Sequence, residues 1–102
     1  MKLQLTIQKE TNTIQLAGDL DIYNVETIRD TLAALLADGQ GLDLDLSGVE
    51  SCDAAGVQLL LAARRSALEA EKTFSVRTTV LAVTECGELI GLPPQSWLEP
   101  NR

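Results

Sequence analysis

Apolar and polar residues alternate from the start of the chain. Leu3, Leu5 and Ile7 are separated by polar positions, and Ile14 and Leu16 repeat the pattern after Thr11-Asn12-Thr13. A period of two belongs to half-buried strands, so two short antiparallel strands joined by a turn are expected. Gly18-Asp19 reads as the end of the second strand. Leu20-Asp21-Ile22-Tyr23 then leads into a helix, in which Val25, Ile28, Leu32, Leu35 and Leu36 fall at steps of three and four and form one stripe. Asn24 stands where an N-cap would be, and Glu26 lies in the first turn, where the helix dipole favours negative charge. Gly39 follows the last turn, a position that tolerates left-handed backbone.

The alternation returns at Leu42, Leu44 and Leu46, now with Asp43 and Asp45 between them. Ser47-Gly48 reads as a turn that breaks the period. Asp53 then precedes Ala54, Ala55, Gly56 and Val57, an apolar run that opens a second helix over about residues 54–70. An Asp at that point accepts from the free N–H groups of the first turn. Gly56, Val57, Leu60, Ala63, Ala67 and Leu68 form a broad apolar arc, with Gln58, Arg65 and Glu69 opposite. Gly56 and the alanines are small enough to let the helix approach the sheet closely. Leu59 and Leu61 widen the arc. Contact with a neighbouring helix is the simpler explanation, and a partner-binding edge is the alternative.

Residues 73–76 read as a further strand. A third helix follows Thr78-Thr79, with Val80, Val83, Cys86, Leu89 and Ile90 expected inward. Gly87 weakens it, Gly91 ends it, and Pro93-Pro94 forbid its continuation. Gln95-Ser96-Trp97-Leu98 reads either as a last short strand or as Trp97 packed over an edge. The order is β-β-α-β-α-β-α, with room for one more strand. The fold class expected is α/β: a mixed sheet with an antiparallel N-terminal pair and then parallel strands, and three or four helices mainly on one face. Binding surfaces of such sheets lie beyond the carboxyl ends of the strands.

Composition narrows the function. The length of 102 residues suits one domain spanning 1–102. Aromatics are only 3%, so the core must be aliphatic. The net charge of −7 argues against nucleic-acid binding, which needs a basic face. The chain has no histidine, which removes His-based catalysis and every His metal site. Cys52 and Cys86 are too few for a disulfide framework or a zinc site. No apolar run approaches the roughly 20 residues of a membrane span, and the N-terminus lacks a signal-peptide core. A cytoplasmic protein without direct membrane insertion and without a cofactor is expected.

Few residues carry reactive chemistry. Asp43, Asp45 and Asp53 together raise the idea of a magnesium site, since hard cations take carboxylate oxygens. A polar strand face, with carboxylates bonded to nearby N–H groups, explains the same residues more simply. No nucleophile–base pair or phosphate loop can be assembled, so no catalytic residue and no enzyme is expected. Cys52 reads as a small hydrophobe beside Asp53.

The segment Asp45 to Val57, DLSGVESCDAAGV, resembles the motif of the STAS domain family, which includes the bacterial anti-sigma factor antagonists. Asp45, Ser47, Asp53, Ala55, Gly56 and Val57 fit the family pattern, and Gly91-Leu92-Pro93 resembles the exit of its third helix. The resemblance implies a non-enzymatic protein-interaction module of bacterial signalling. Its implied docking residues are Asp53, Ala54, Ala55, Gly56 and Val57, with Asp45 and Ser47 supporting the loop and helix cap. In phosphorylated members the modified Ser or Thr follows the second Asp, and here that position is Ala54. Alanine has no hydroxyl, so the usual addition of phosphate charge is impossible there. Ser51 and Ser47 are the nearest hydroxyls. Loop serines ordinarily satisfy turn backbone, and a displaced phosphosite is the alternative. The resemblance implies as partner an anti-sigma factor, a histidine-kinase-like protein or a chemotaxis protein. A second reading is an MlaB-like accessory subunit that binds the ATPase of an ABC lipid transporter.

Overall fold

The computed structural model describes residues 3–93. The expectations for residues 94–98, Pro94 and Trp97 included, lie outside them. Four strands and three helices follow in the order β1 (Gln4–Gln8), β2 (Thr13–Leu20), α1 (Val25–Ala37), β3 (Leu42–Cys52), α2 (Ala54–Glu69), β4 (Phe74–Thr78) and α3 (Leu81–Leu89). The sheet order is β1-β2-β3-β4. β1 and β2 are antiparallel, while β2–β3 and β3–β4 are parallel. The architecture is the mixed α/β sheet that the alternation predicts.

Topology explains why the helices share a face. Strands β2, β3 and β4 step across the sheet in one direction, and each step is a strand–helix–strand crossover. Crossovers of the same right hand, taken in the same direction, put both helices on the same side. Burial along the strands agrees. Leu16, Leu20, Leu42, Leu44, Leu46 and Phe74 have no exposed surface. Asp43 and Asp45, at alternate positions, are only half-buried. α2 packs against both α1 and α3, and α3 packs against β3. Leu59 of α2 is buried, and it lines a small space between α1 and α2 with Arg29, Leu32 and Ala33. The neighbouring helix therefore accounts for the wide apolar arc.

Two strand boundaries and the end of the α3 face differ from the sequence expectation. β2 continues through Gly18 to Leu20, and β3 continues through Ser47-Gly48 to Cys52. Ser47-Gly48 is not a turn. Two irregularities in the β2–β3 register, between Gln15 and Ala17 and between Gly18 and Asp19, absorb extra residues of β3 while pairing continues. Gly48 is required there by close approach, because an added Cβ would lie 2.8 Å from the Cβ of Ala17. Val80, Val83 and Cys86 pack against the core as expected, and only the end of the expected α3 face turns outward. Val83 and Gly87 are buried, but Leu89 is 86% exposed and Ile90 is also exposed. A helix of nine residues buries only one narrow face, and that face ends at Gly87.

Candidate functional site

The neighbourhood of Asp53 is built by the adjacent C-terminal ends of β2 and β3, where Leu20 pairs with Cys52. Asp53 alone separates β3 from α2. Its backbone is extended, as an N-cap requires, and Oδ1 accepts from the Gly56 N–H at 3.1 Å. Oδ2 accepts from the Ile22 N–H at 3.2 Å, and the Asp53 N–H donates to the Leu20 carbonyl at 3.2 Å. One residue therefore caps α2 and fastens the β2–α1 loop to it.

The loop has its own ties. Asn24 does not cap α1 through its side chain. Its Nδ2 instead donates to the Asp19 carbonyl at 3.0 Å and to Asp21 Oδ1 at 2.9 Å. The Tyr23 N–H donates to the same Asp21 oxygen at 3.1 Å. These bonds hold Ile22 and Tyr23 outward, 64% and 91% exposed. Sequence reasoning passed over both as a lead-in to the helix. The available signal was two large apolar residues falling outside the stripe that begins at Val25.

Burial divides the five expected docking residues. Ala54 is exposed, and Asp53 and Ala55 are half-exposed. Val57 is fully buried in the core and Gly56 is buried, so neither meets a partner directly. Gly56 acts from below. An added Cβ would strike the Leu20 carbonyl and lie 2.8 Å from Leu20 Cγ. Only glycine lets the first turn of α2 settle onto the end of β2. Beside Ala54, an open groove of about 540 Å³ runs between α1 and α2. Ile22, Val25 and Arg29 form one wall, and Ala55, Gln58 and Ala62 form the other.

Asp45 and Ser47 do not support the helix cap. Asp45 Oδ1 accepts from the Ser47 N–H at 2.9 Å, a local bond that stabilises the irregular part of β3. Ser51 is exposed, and its hydroxyl donates to Asp19 Oδ1 at 2.8 Å. The three aspartates raised for magnesium are occupied separately. Asp43 accepts from Arg77 Nη2 at 2.8 Å and Ser75 Oγ at 3.1 Å, on the open face of the sheet. Asp53 is spent on Gly56 and Ile22. Among the described residues, no group of three or more metal-ligating side chains comes together. Among the same residues, no helix is long and apolar enough to cross a membrane.

Exposed Ile22, Tyr23 and Ala54 thus stand near the Asp53 cap, beside the groove between α1 and α2. A family model described as "Mlab, STAS domain" matches residues 3–93. A search of curated proteins finds no match.

Proposed function

Because the chain belongs to the STAS domain family, we propose that it is a non-enzymatic docking module whose binding surface is permanently available. The observation that carries this reading is Ala54, an exposed methyl at the first position of α2, directly after the capping Asp53. In the family pattern a hydroxyl at that position is the phosphorylation point. Here the surface keeps its shape and lacks the group that would switch it. Ile22, Tyr23, Ala54 and Ala55 form the contact patch, and the groove between α1 and α2 extends it.

The partner we propose is the ATPase subunit of an ABC lipid transporter, bound by this chain as an MlaB-like accessory subunit. The description of the matching family model supports that choice over the signalling partner. Permanent docking also suits a stoichiometric subunit better than a reversible regulator. An anti-sigma factor, histidine-kinase-like protein or chemotaxis protein is the second reading, and the resemblance of DLSGVESCDAAGV to the antagonists supports it.

Affinity capture of the tagged chain from its native cell, followed by reconstitution with the captured protein, separates the two. The expected result is a stoichiometric complex with a membrane-associated ABC ATPase. A stoichiometric complex with a soluble kinase-like protein would move the chain to signalling. Phosphate on Ser47 or Ser51 of the captured chain would overturn permanent availability.

A further inference from the structure

The two cysteines take no part in the docking patch. Cys52 is the last residue of β3 and Cys86 lies on α3. Both are free thiols, and both are partly buried against the same hydrophobic core. Cys52 Sγ lies beneath the first turn of α2, where a Cβ at Gly56 would be 3.0 Å from it. It donates to the Asp53 carbonyl at 3.4 Å. The Cys86 thiol is near enough to help hold the proton on Cys52. The elements that carry the two residues are packed together, since α3 rests on both β3 and α2. Neither thiol therefore has to cross solvent to meet the other.

We infer that Cys52 and Cys86 are a modification site: they close to an intramolecular disulfide on exposure to a low-molecular-weight disulfide. Closure needs Cα atoms within about 7 Å of each other, which the packing of α3 on β3 and α2 favours. The exchange balances in two steps. Cys86 attacks the small disulfide, forming a mixed disulfide and releasing one small thiol with its proton. Cys52 then attacks the Cys86 sulfur, forming the cystine and releasing the second small thiol. The protein loses two electrons and two protons, and the small disulfide gains both. The order follows from the environment of Cys52. Burial, reinforced by the neighbouring Cys86, pushes its thiol up to about 12, so it is protonated near neutrality and reacts poorly with a reagent in solution. Once Cys86 carries the mixed disulfide, proximity replaces concentration.

The cystine would enclose all of α2 and β4 in a covalent loop. It would also fix α3 to the residue preceding the Asp53 cap. Closing a loop of that length restricts the unfolded chain and raises stability.

The test uses the purified full chain, oxidised glutathione at neutral pH, and intact-mass measurement without reductant. The expected product is a monomer that has lost two hydrogens, retains no glutathione, melts several degrees higher and reverts with dithiothreitol. Cys52→Ser is expected to retain one glutathione on Cys86, and Cys86→Ser to remain unmodified over the same interval. Wild-type protein that keeps a glutathione adduct, cross-links between chains, keeps both thiols, or melts lower when oxidised would overturn the inference.

Discussion

Asp53 uses its two carboxylate oxygens for different purposes, and substitutions can separate them. Oδ1 satisfies an orphan N–H of α2, and Oδ2 holds the backbone of Ile22. Asp53→Ala removes both and is expected to cost about 2 kcal/mol, the sum of a cap and one further bond to a charged acceptor. Asp53→Asn keeps the cap but presents an amide to the second N–H, so about half of that loss is expected. Urea unfolding of the three proteins checks the order: an Asp53→Asn protein as stable as wild type would mean that the Ile22 bond contributes nothing, and equal losses in the two variants that the cap does not. The cap was readable from sequence because it joins neighbours. The bond to Ile22 was not, because it spans 31 residues and depends on how the ends of β2 and β3 meet. Cys52 gives a second test at this scale. Its thiol is held at about 12, chiefly by burial, against an ordinary value of 9.0. A folded-state value above the unfolded one stabilises the protein fully below the unfolded value. That contribution is lost as pH rises from about 9 towards about 12. Cys52→Ala is therefore expected to flatten the fall of stability with pH in that window, measured as the difference between wild-type and variant unfolding curves.

At the scale of elements, the three helices end alike but are not equally well equipped to do so. In α1, the Gly39 N–H donates to the Leu36 carbonyl and the Gln40 N–H to Leu35. In α2 the same pair is Glu71 to Leu68 and Lys72 to Ala67, and in α3 it is Gly91 to Glu88 and Leu92 to Gly87. This is the six-to-one and five-to-two pattern of a Schellman ending, which needs left-handed backbone at its turning residue. Gly39 and Gly91 supply it at φ 86° and 82°, whereas α2 forces Glu71 to φ 58°. A side chain there costs about 1 kcal/mol. Glu71→Gly is thus expected to stabilise the protein by up to about 1 kcal/mol despite the added freedom of the unfolded chain, and Gly91→Ala to destabilise it by a similar amount. Thermal melts of both variants check the pair of signs. Sequence showed the ends of α1 and α3 through their glycines and left that of α2 without a marker. β3 misled in the opposite way. Ser47-Gly48 has the composition of a turn, yet pairing with β2 carries the strand through it. Tertiary pairing overrides local propensity at such a point, and no local pattern reports it.

Across the whole molecule, the two faces of the sheet differ in what covers them. Helices cover one face, and the other carries Asp43, Ser75 and Arg77 in a hydrogen-bonded group open to solvent. The proposed patch lies at the strand ends instead, around Ala54. The strand–helix order alone led to that end of the sheet. Which residues there face outward was not readable from it, because the exposure of Tyr23 and the burial of Val57 depend on how α2 settles onto β2. Ala54→Glu tests the patch with little risk to the fold. A carboxylate in the first turn of a helix is favoured by its dipole, so α2 should be unharmed or slightly more stable. In a docked interface, the same carboxylate must be desolvated beside Asp53 with no partner charge arranged to receive it. Affinity for the captured partner is expected to fall at least about tenfold, which is about 1.4 kcal/mol. Ala54→Ser, with a small neutral hydroxyl, should bind nearly as wild type does. Arg77→Ala, on the open face, should lose its contact with Asp43 and leave affinity unchanged, since an exposed pair contributes little. Titration calorimetry on the reconstituted pair gives all three values. Loss of binding in Arg77→Ala, with Ala54→Glu unaffected, would move the docking surface to the open sheet.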